Sequence, residues 1–539
     1  MASVLTSLEI AQAASLRPIV EVAADLGLDE DEIEPYGRYK AKIPLDALDR
    51  RLDEPLGRLV AVTAITPTKA GEGKTTSAIG LADALALTGR RTALCLREPS
   101  VGPVFGIKGG GAGGGRAQVV PMEDLNLHFT GDIHAVGAAT NLLAAIVDAH
   151  VYHGNGLEID PEAITWRRAL DVNDRALRAS FDITAASEVM GVLAIAQDLP
   201  DLRARLGRIT VARTLEGAPV TAEDLGAAGA MTVLLKTALQ PNLIQTLEGR
   251  PALVHVGPFA NIAHGNNSLV ADRLALRLAD YVVTESGFGA DMGFEKLADI
   301  VCRLGGLTPS AVVLVATVRA LEHHGGEPGG GARALRHGAA NLARHIEIVR
   351  GFGITPVVAI NAFPGDRPAE LELARSLALE HGALAAEITD VFTAGGAGAV
   401  ELAEAVAEAA AGEPPELDFA YELADPIATK IRRVAERVYG ARDVSFSPEA
   451  LEAIALCERE GLDRLPVCMA KTPLSLSHDP ALTNSPRDFV LPVREVRAYT
   501  GAGWLVALCG DLMTMPGLPA EPAALRIDID ESGRTVGLV

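Results

Sequence analysis

The 539-residue chain is poor in cysteine (5), tryptophan (2) and aromatic side chains in general (4%), and its 48 Lys and Arg fall well short of 70 Asp and Glu. Each shortage excludes something. Cys95, Cys302, Cys457, Cys468 and Cys509 are scattered without a C-x-x-C pair. They make neither a disulfide framework nor a zinc set, and point to buried thiols in a reducing compartment. A net charge of −22 argues against non-specific binding to nucleic acid or acidic membranes. No stretch reaches about 18 uninterrupted apolar residues, so no membrane span is expected. The segment MASVLTSLEIAQAASLRPI carries Glu9 and no long apolar core, so no signal peptide is expected and a cytoplasmic location follows. No internal repeat is apparent.

What is present is an ordinary globular composition, 48% hydrophobic and 22% charged. The chain is too long for one core, and two to four domains are expected. TPTKAGEGKTT (66–76) stands between the apolar, β-branched run LVAVTAI (59–65) and AIGLADALALTG (78–89), which has helical spacing and a glycine stop. Strand, glycine loop, GKT and helix together make a phosphate-loop signature. Thr68, Lys69, Ala70, Gly71, Glu72 and Gly73 would wrap the phosphates of ATP with backbone N–H groups. Lys74 would reach the β- and γ-phosphates, and Thr75 would hold Mg²⁺. Thr68 stands where the usual pattern has its first glycine.

The same arrangement recurs: an apolar strand running into a polar, glycine-containing loop. PALVHV (251–256) enters GPFANIAHGNNS, YVVTE (281–285) enters SGFGADMG, VVLVATV (312–318) enters RALEHHGG, and TPVVAI (355–360) enters NAFPGD. RTALCL runs into REPSVGPVFGIKGGGAGGG. With helical segments such as ARALRHGAANLARHIEIVRGFG (332–353) between them, these runs predict an α/β, doubly wound, mostly parallel sheet. Its ligands would sit outside the carboxyl ends of the strands. The expected division is a phosphate-loop core over 1–360, a second α/β domain over 361–460 and a C-terminal domain over 461–539.

Several side chains have two readings on spacing alone. Arg97 could contact a transferring phosphoryl group and Glu98 could position Mg²⁺ through water, or the two could form a structural pair at a strand end. His264 could touch substrate or be a hydrogen-bonded loop histidine. His128, Asp132 and His134 lie close in sequence, without the spacing of a zinc site.

Long stretches resemble formate–tetrahydrofolate ligase. They include IAQAASLRPIVEVAADLGL, TPTKAGEGKTT, LREPSVGPVFGIKGGGAGGGRAQVVPMEDLNLHFTGD, FDITAASEVM, GPFANIAHGNNS, TESGFGADMGFEK, LPVCMAKTPLSLS and GDLMTMPGLP. The resemblance implies ligation of formate to tetrahydrofolate with ATP and Mg²⁺, through formyl phosphate. It also implies a homotetramer activated by a monovalent cation, potassium or ammonium. By the resemblance Arg97 contacts formyl phosphate. Glu98, Asp132 and His264 are counted as candidate cofactor-binding residues. The pterin would stack between Phe363, from NAFPGD, and Phe392, from VFTAGGAG. There this chain departs from the family: Phe392 replaces a tryptophan, Ala394 a lysine, and Arg116 an aromatic residue. Lys69 replaces a proline and opens an alternative, the deviant phosphate loop of MinD- and ParA-like switch ATPases.

Overall fold

The computed structural model describes residues 5–538 apart from 69–70, 107–109, 261–262 and 511. Its centre is a 12-stranded sheet. The main strands are β1 (Arg58–Ala64), β2 (Thr92–Leu96), β3 (Asn242–Thr246), β4 (Pro251–Val254), β5 (Tyr281–Glu285), β6 (Ala311–Ala316), β7 (Val357–Asn361) and β8 (Ala385–Thr389). Their order in space is β3-β4-β2-β5-β1-β6-β7-β8. From β4 to β8 every pairing is parallel, and β3 runs antiparallel on β4.

The apolar runs form these strands because both sheet faces are covered. Along β1, Val60 and Val62 face one core with helix α1 (Lys74–Leu87), while Leu59 and Ala61 face the other. That second core includes Leu342 and Ile346 of α2 (Gly331–Gly351). All four β1 side chains are essentially inaccessible. The five strand-to-loop passages read from the sequence all leave parallel strands, so their loops gather at one sheet edge. The chain leaves β1 toward β2 on one side, and later builds β6, β7 and β8 on the other. The loop after β1 therefore stands where the strand order changes direction.

A four-stranded sheet follows: β9 (Asp443–Phe446), β10 (Val467–Ala470), β11 (Val490–Tyr499) and β12 (Trp504–Cys509), in the order β9-β11-β12-β10. The large sheet draws strands from residues 34–389 and the small one from 443–509, so each spans one boundary expected above. The segments Ala290–Phe294 and Leu297–Cys302 are wound as π-helix. Among the described residues one helix, Asp132–Tyr152, is long and apolar enough to cross a membrane by length and composition, with a hydropathy of 1.3. It packs on the helix Ala228–Leu235, and Asp132 at its first turn is held in a buried ion pair. All five cysteines are buried, and burial raises every thiol pKa, as it does for Cys95 and Cys302.

Candidate active site

The turn after β1 is shaped by two glycines in the left-handed region, Gly71 at φ +76° and Gly73 at +68°. The Thr68 N–H donates to Glu72 Oε1 at 2.7 Å. The Glu72 carbonyl accepts from Asn361 Nδ2 at 3.0 Å. Burial pushes the Glu72 carboxyl up to about 7, against the pull of the Thr68 hydrogen bonds. Lys69 and Ala70 lie outside the described residues. Helix α1 starts directly after Gly73 without a side-chain cap, so its first N–H groups are open to an anion.

Glu285, the last residue of β5, collects the positive charge at this edge. Lys74 Nζ pairs with its Oε1, and Thr75 Oγ1 donates to its Oε2 at 2.9 Å. Arg97 Nη2 stands 4.0 Å from Oε1. Burial alone would raise the Glu285 pKa, but the charges of Lys74 and Arg97 hold it below the usual carboxylate range. Burial lowers both cations, and Glu285 opposes that shift. Two cations thus share one carboxylate, leaving one positive charge in excess for an anionic ligand. Glu285 is absent from the residues singled out by sequence. Its signal is an apolar strand ending in an acid, but that β5 lies beside β1 follows only from the sheet order.

Arg97 makes its ion pair with Glu285 rather than with Glu98, and donates through Nη1 to the Pro258 carbonyl at 3.3 Å. Glu98 belongs to a neighbouring buried group. There Lys42 Nζ donates to Asp132 Oδ2 at 2.9 Å, and Asn242 Nδ2 to the same oxygen at 2.7 Å. Burial, reinforced by the charge of Asp132, holds the Glu98 carboxyl well above its ordinary range. His264 is fully buried, edge-on to Trp504 with ring centroids 5.6 Å apart. Its Nδ1 accepts from the Asn266 N–H at 3.2 Å, and burial pushes its pKa down to about 3, so the ring is neutral.

The two phenylalanines stand beyond adjacent parallel strands, Phe363 after β7 and Phe392 after β8. The Arg319 guanidinium lies over the Phe363 ring, 4.7 Å from its centroid. Phe392 packs on the glycine run: a Cβ at Gly115 would meet its Cγ at 2.8 Å, and one at Gly114 its Cε2 at 3.3 Å. Arg116 follows this run and donates its N–H to the Phe392 carbonyl at 2.8 Å. Among the described residues no group of three or more His, Cys, Asp or Glu is arranged to hold a metal.

Fold and site together define a doubly wound α/β protein with a cationic, glycine-lined edge at the carboxyl ends of its strands. The protein-family model for formate–tetrahydrofolate ligase matches residues 5–539, and the chain belongs to that family. It is 56% identical over 563 residues to a formate–tetrahydrofolate ligase of Roseiflexus sp. (strain RS-1), covering 99% of this chain and 100% of the relative. The Roseiflexus castenholzii protein of the same name is also 56% identical, over 562 residues, with the same coverage. A third, from Desulforamulus reducens, is 53% identical over 567 residues, with both chains covered completely. The switch-ATPase alternative finds no support in these relatives.

Proposed function

We propose that the chain ligates formate to tetrahydrofolate in an ATP-dependent reaction of one-carbon metabolism. The products are 10-formyltetrahydrofolate, ADP and phosphate, and formyl phosphate is the intermediate. The observation that carries this reading is the convergence of Lys74, Thr75 and Arg97 on Glu285 beside an uncapped helix N-terminus. Formate is a poor electrophile because its charge is spread over both oxygens. A formate oxygen attacks the γ-phosphorus, the bond to the β-phosphate oxygen breaks, and ADP leaves. The folate N10 lone pair then attacks the formyl carbon, phosphate departs, and N10 loses its proton.

In this reading Lys74 and the loop N–H groups bind the β- and γ-phosphates, and Arg97 spreads the charge of the transferring phosphoryl group over its fork. The hydroxyl of Thr75 and the carboxylate of Glu285 are hard oxygen donors within 2.9 Å of each other, a pair that fits Mg²⁺. When bound, Mg²⁺ supplies charge neutralisation on the phosphates. Phe363 and Phe392 offer stacking faces to the pterin. Activation by potassium or ammonium, a cytoplasmic location and a homotetramer belong to the same reading. Tyr152 and Val233, 83% and 75% exposed on two helices packed together, are apolar surface that association of copies would cover. Light scattering tests the tetramer.

The deciding experiment is a coupled assay for ADP and 10-formyltetrahydrofolate with each substrate omitted in turn. Turnover is expected only with ATP, formate and tetrahydrofolate together. Full-rate ADP release without formate rejects the ligase reading.

A further inference from the structure

A phosphate-binding loop must turn its N–H groups toward the ligand, which turns some of its carbonyls back into the protein. A buried carbonyl left without a donor is costly, so each one needs a partner. At Glu72, between the left-handed Gly71 and Gly73, that partner is the side chain of Asn361, with Nδ2 3.0 Å from the carbonyl oxygen. Because the partner is a carbonyl, the amide must present its NH₂ here, which fixes its orientation. The approach is close: a Cβ at Gly73 would stand 2.4 Å from Asn361 Nδ2 and 3.8 Å from Phe363 Cζ.

Asn361 is also the last residue of β7, two positions before Phe363. It pairs in the sheet with Thr389, the last residue of β8, three positions before Phe392. The Ala362 N–H donates to the Thr389 carbonyl at 2.8 Å, and the Phe363 N–H to Asp366 Oδ2 at 2.8 Å, so the tip beyond Asn361 is tied down. One amide therefore joins the glycine loop to the bases of both phenylalanine loops. Asn361 is 3% exposed, yet its Oδ1 accepts from no donor among the described residues. It keeps one buried acceptor unspent.

We infer that Asn361 is a positioning residue that couples the phosphate loop to the folate-side loops, so that occupation of one strengthens binding at the other. The inference rests on the functional reading above. A ligand donor reaching Oδ1, or a ligand that holds Phe363 in place, fixes the amide against Glu72 and holds the glycine loop in its binding shape. With no donor on Oδ1 among the described residues, the amide has the Glu72 carbonyl as its single side-chain anchor, and the added anchor is the difference a coupling requires.

The test is a pair of calorimetric titrations on the full-length protein. The affinity of the magnesium complex of a non-hydrolysable ATP analogue is measured with and without saturating tetrahydrofolate. In the wild type the two affinities are expected to differ by about fivefold or more, the range of ordinary coupling. In Asn361→Ala each ligand still binds alone, and the ratio falls to near one. Asn361→Asp, nearly the same size but with no donor for the Glu72 carbonyl, loses the coupling too and guards against a cavity effect. A wild-type ratio of one, or a ratio preserved in both variants, overturns the inference. So does loss of folding in both, which would make Asn361 a packing residue only. Failure of the wild type to bind either ligand alone is a different result and rejects the functional reading itself.

Discussion

Thr75 donates its hydroxyl proton to Glu285 at 2.9 Å across 210 positions of sequence. The contact exists because β5 runs parallel to β1 with Glu285 opposite Val62, which brings the end of one strand to the loop that follows the other. Glu285 is then the carboxylate that pairs with both Lys74 and Arg97 at this edge. Glu285→Gln removes the shared negative charge while keeping the volume. Formate-dependent ADP release should fall about 100-fold or more, the scale of losing one aligned electrostatic contact. The Mg²⁺ concentration for half-maximal rate should rise, with little change in the tetrahydrofolate KM. Unaltered kcat and Mg²⁺ dependence would remove Glu285 from the site.

Arg97 stands across β5 from the glycine loop, with its guanidinium 4.0 Å from Glu285. In the proposed reading it serves the transferring group rather than the nucleotide base. Arg97→Ser should impair formyl transfer in both directions and leave nucleotide affinity largely intact. ATP synthesis from 10-formyltetrahydrofolate, ADP and phosphate, measured beside ADP binding, separates the two roles. A fall in nucleotide affinity alone would make Arg97 a nucleotide ligand.

Glu72 gives the loop a pH signature. Burial raises its pKa from 4.5 to about 7. As pH rises between these values, the unfolded chain gives up the proton before the native protein does. Native stability is therefore lost over that window, by up to about 3 kcal/mol for this group. Glu72→Gln, which mimics the protonated form, should be more stable than the parent at pH 8 by up to that amount. The two should converge near pH 4. Urea unfolding at both values checks this, and a difference independent of pH would contradict it.

Phe392 rests on Gly114 and Gly115, so one side of its ring is already packed. Replacing it with tryptophan enlarges the stacking area, and an aromatic pair contributes about 0.5–1.5 kcal/mol beyond area burial. Phe392→Trp should lower the tetrahydrofolate KM a few-fold with little change in kcat, as added uniform binding does. If that KM stays fixed while Phe363→Ala abolishes folate binding, the pterin rests on Phe363 alone.

Local features were legible without coordinates. Parallel strands buried on both faces must be continuous apolar runs, so the six read from the sequence emerge in the sheet with ends shifted by only a few residues. The glycine loop was equally plain, because left-handed backbone and a helix N-terminus make demands on consecutive residues. Across-chain partners were not legible. Arg97 could be read with Glu98, its neighbour in sequence, yet its ion pair is with Glu285, and Glu98 is buried where it feels the charges of Asp132 and Lys42. Both Arg97 and Glu98 lie past Leu96, the last residue of β2, so the groups each one meets are set by the strands that flank β2 and not by closeness in sequence. Asn361 looked like the start of a folate loop, and only the order β1-β6-β7 carries its amide to the Glu72 carbonyl. Chain-local sterics and burial determine which segments are strand, loop and helix. Which carboxylate meets which cation depends on which strands become neighbours, and that is decided by packing the whole sheet.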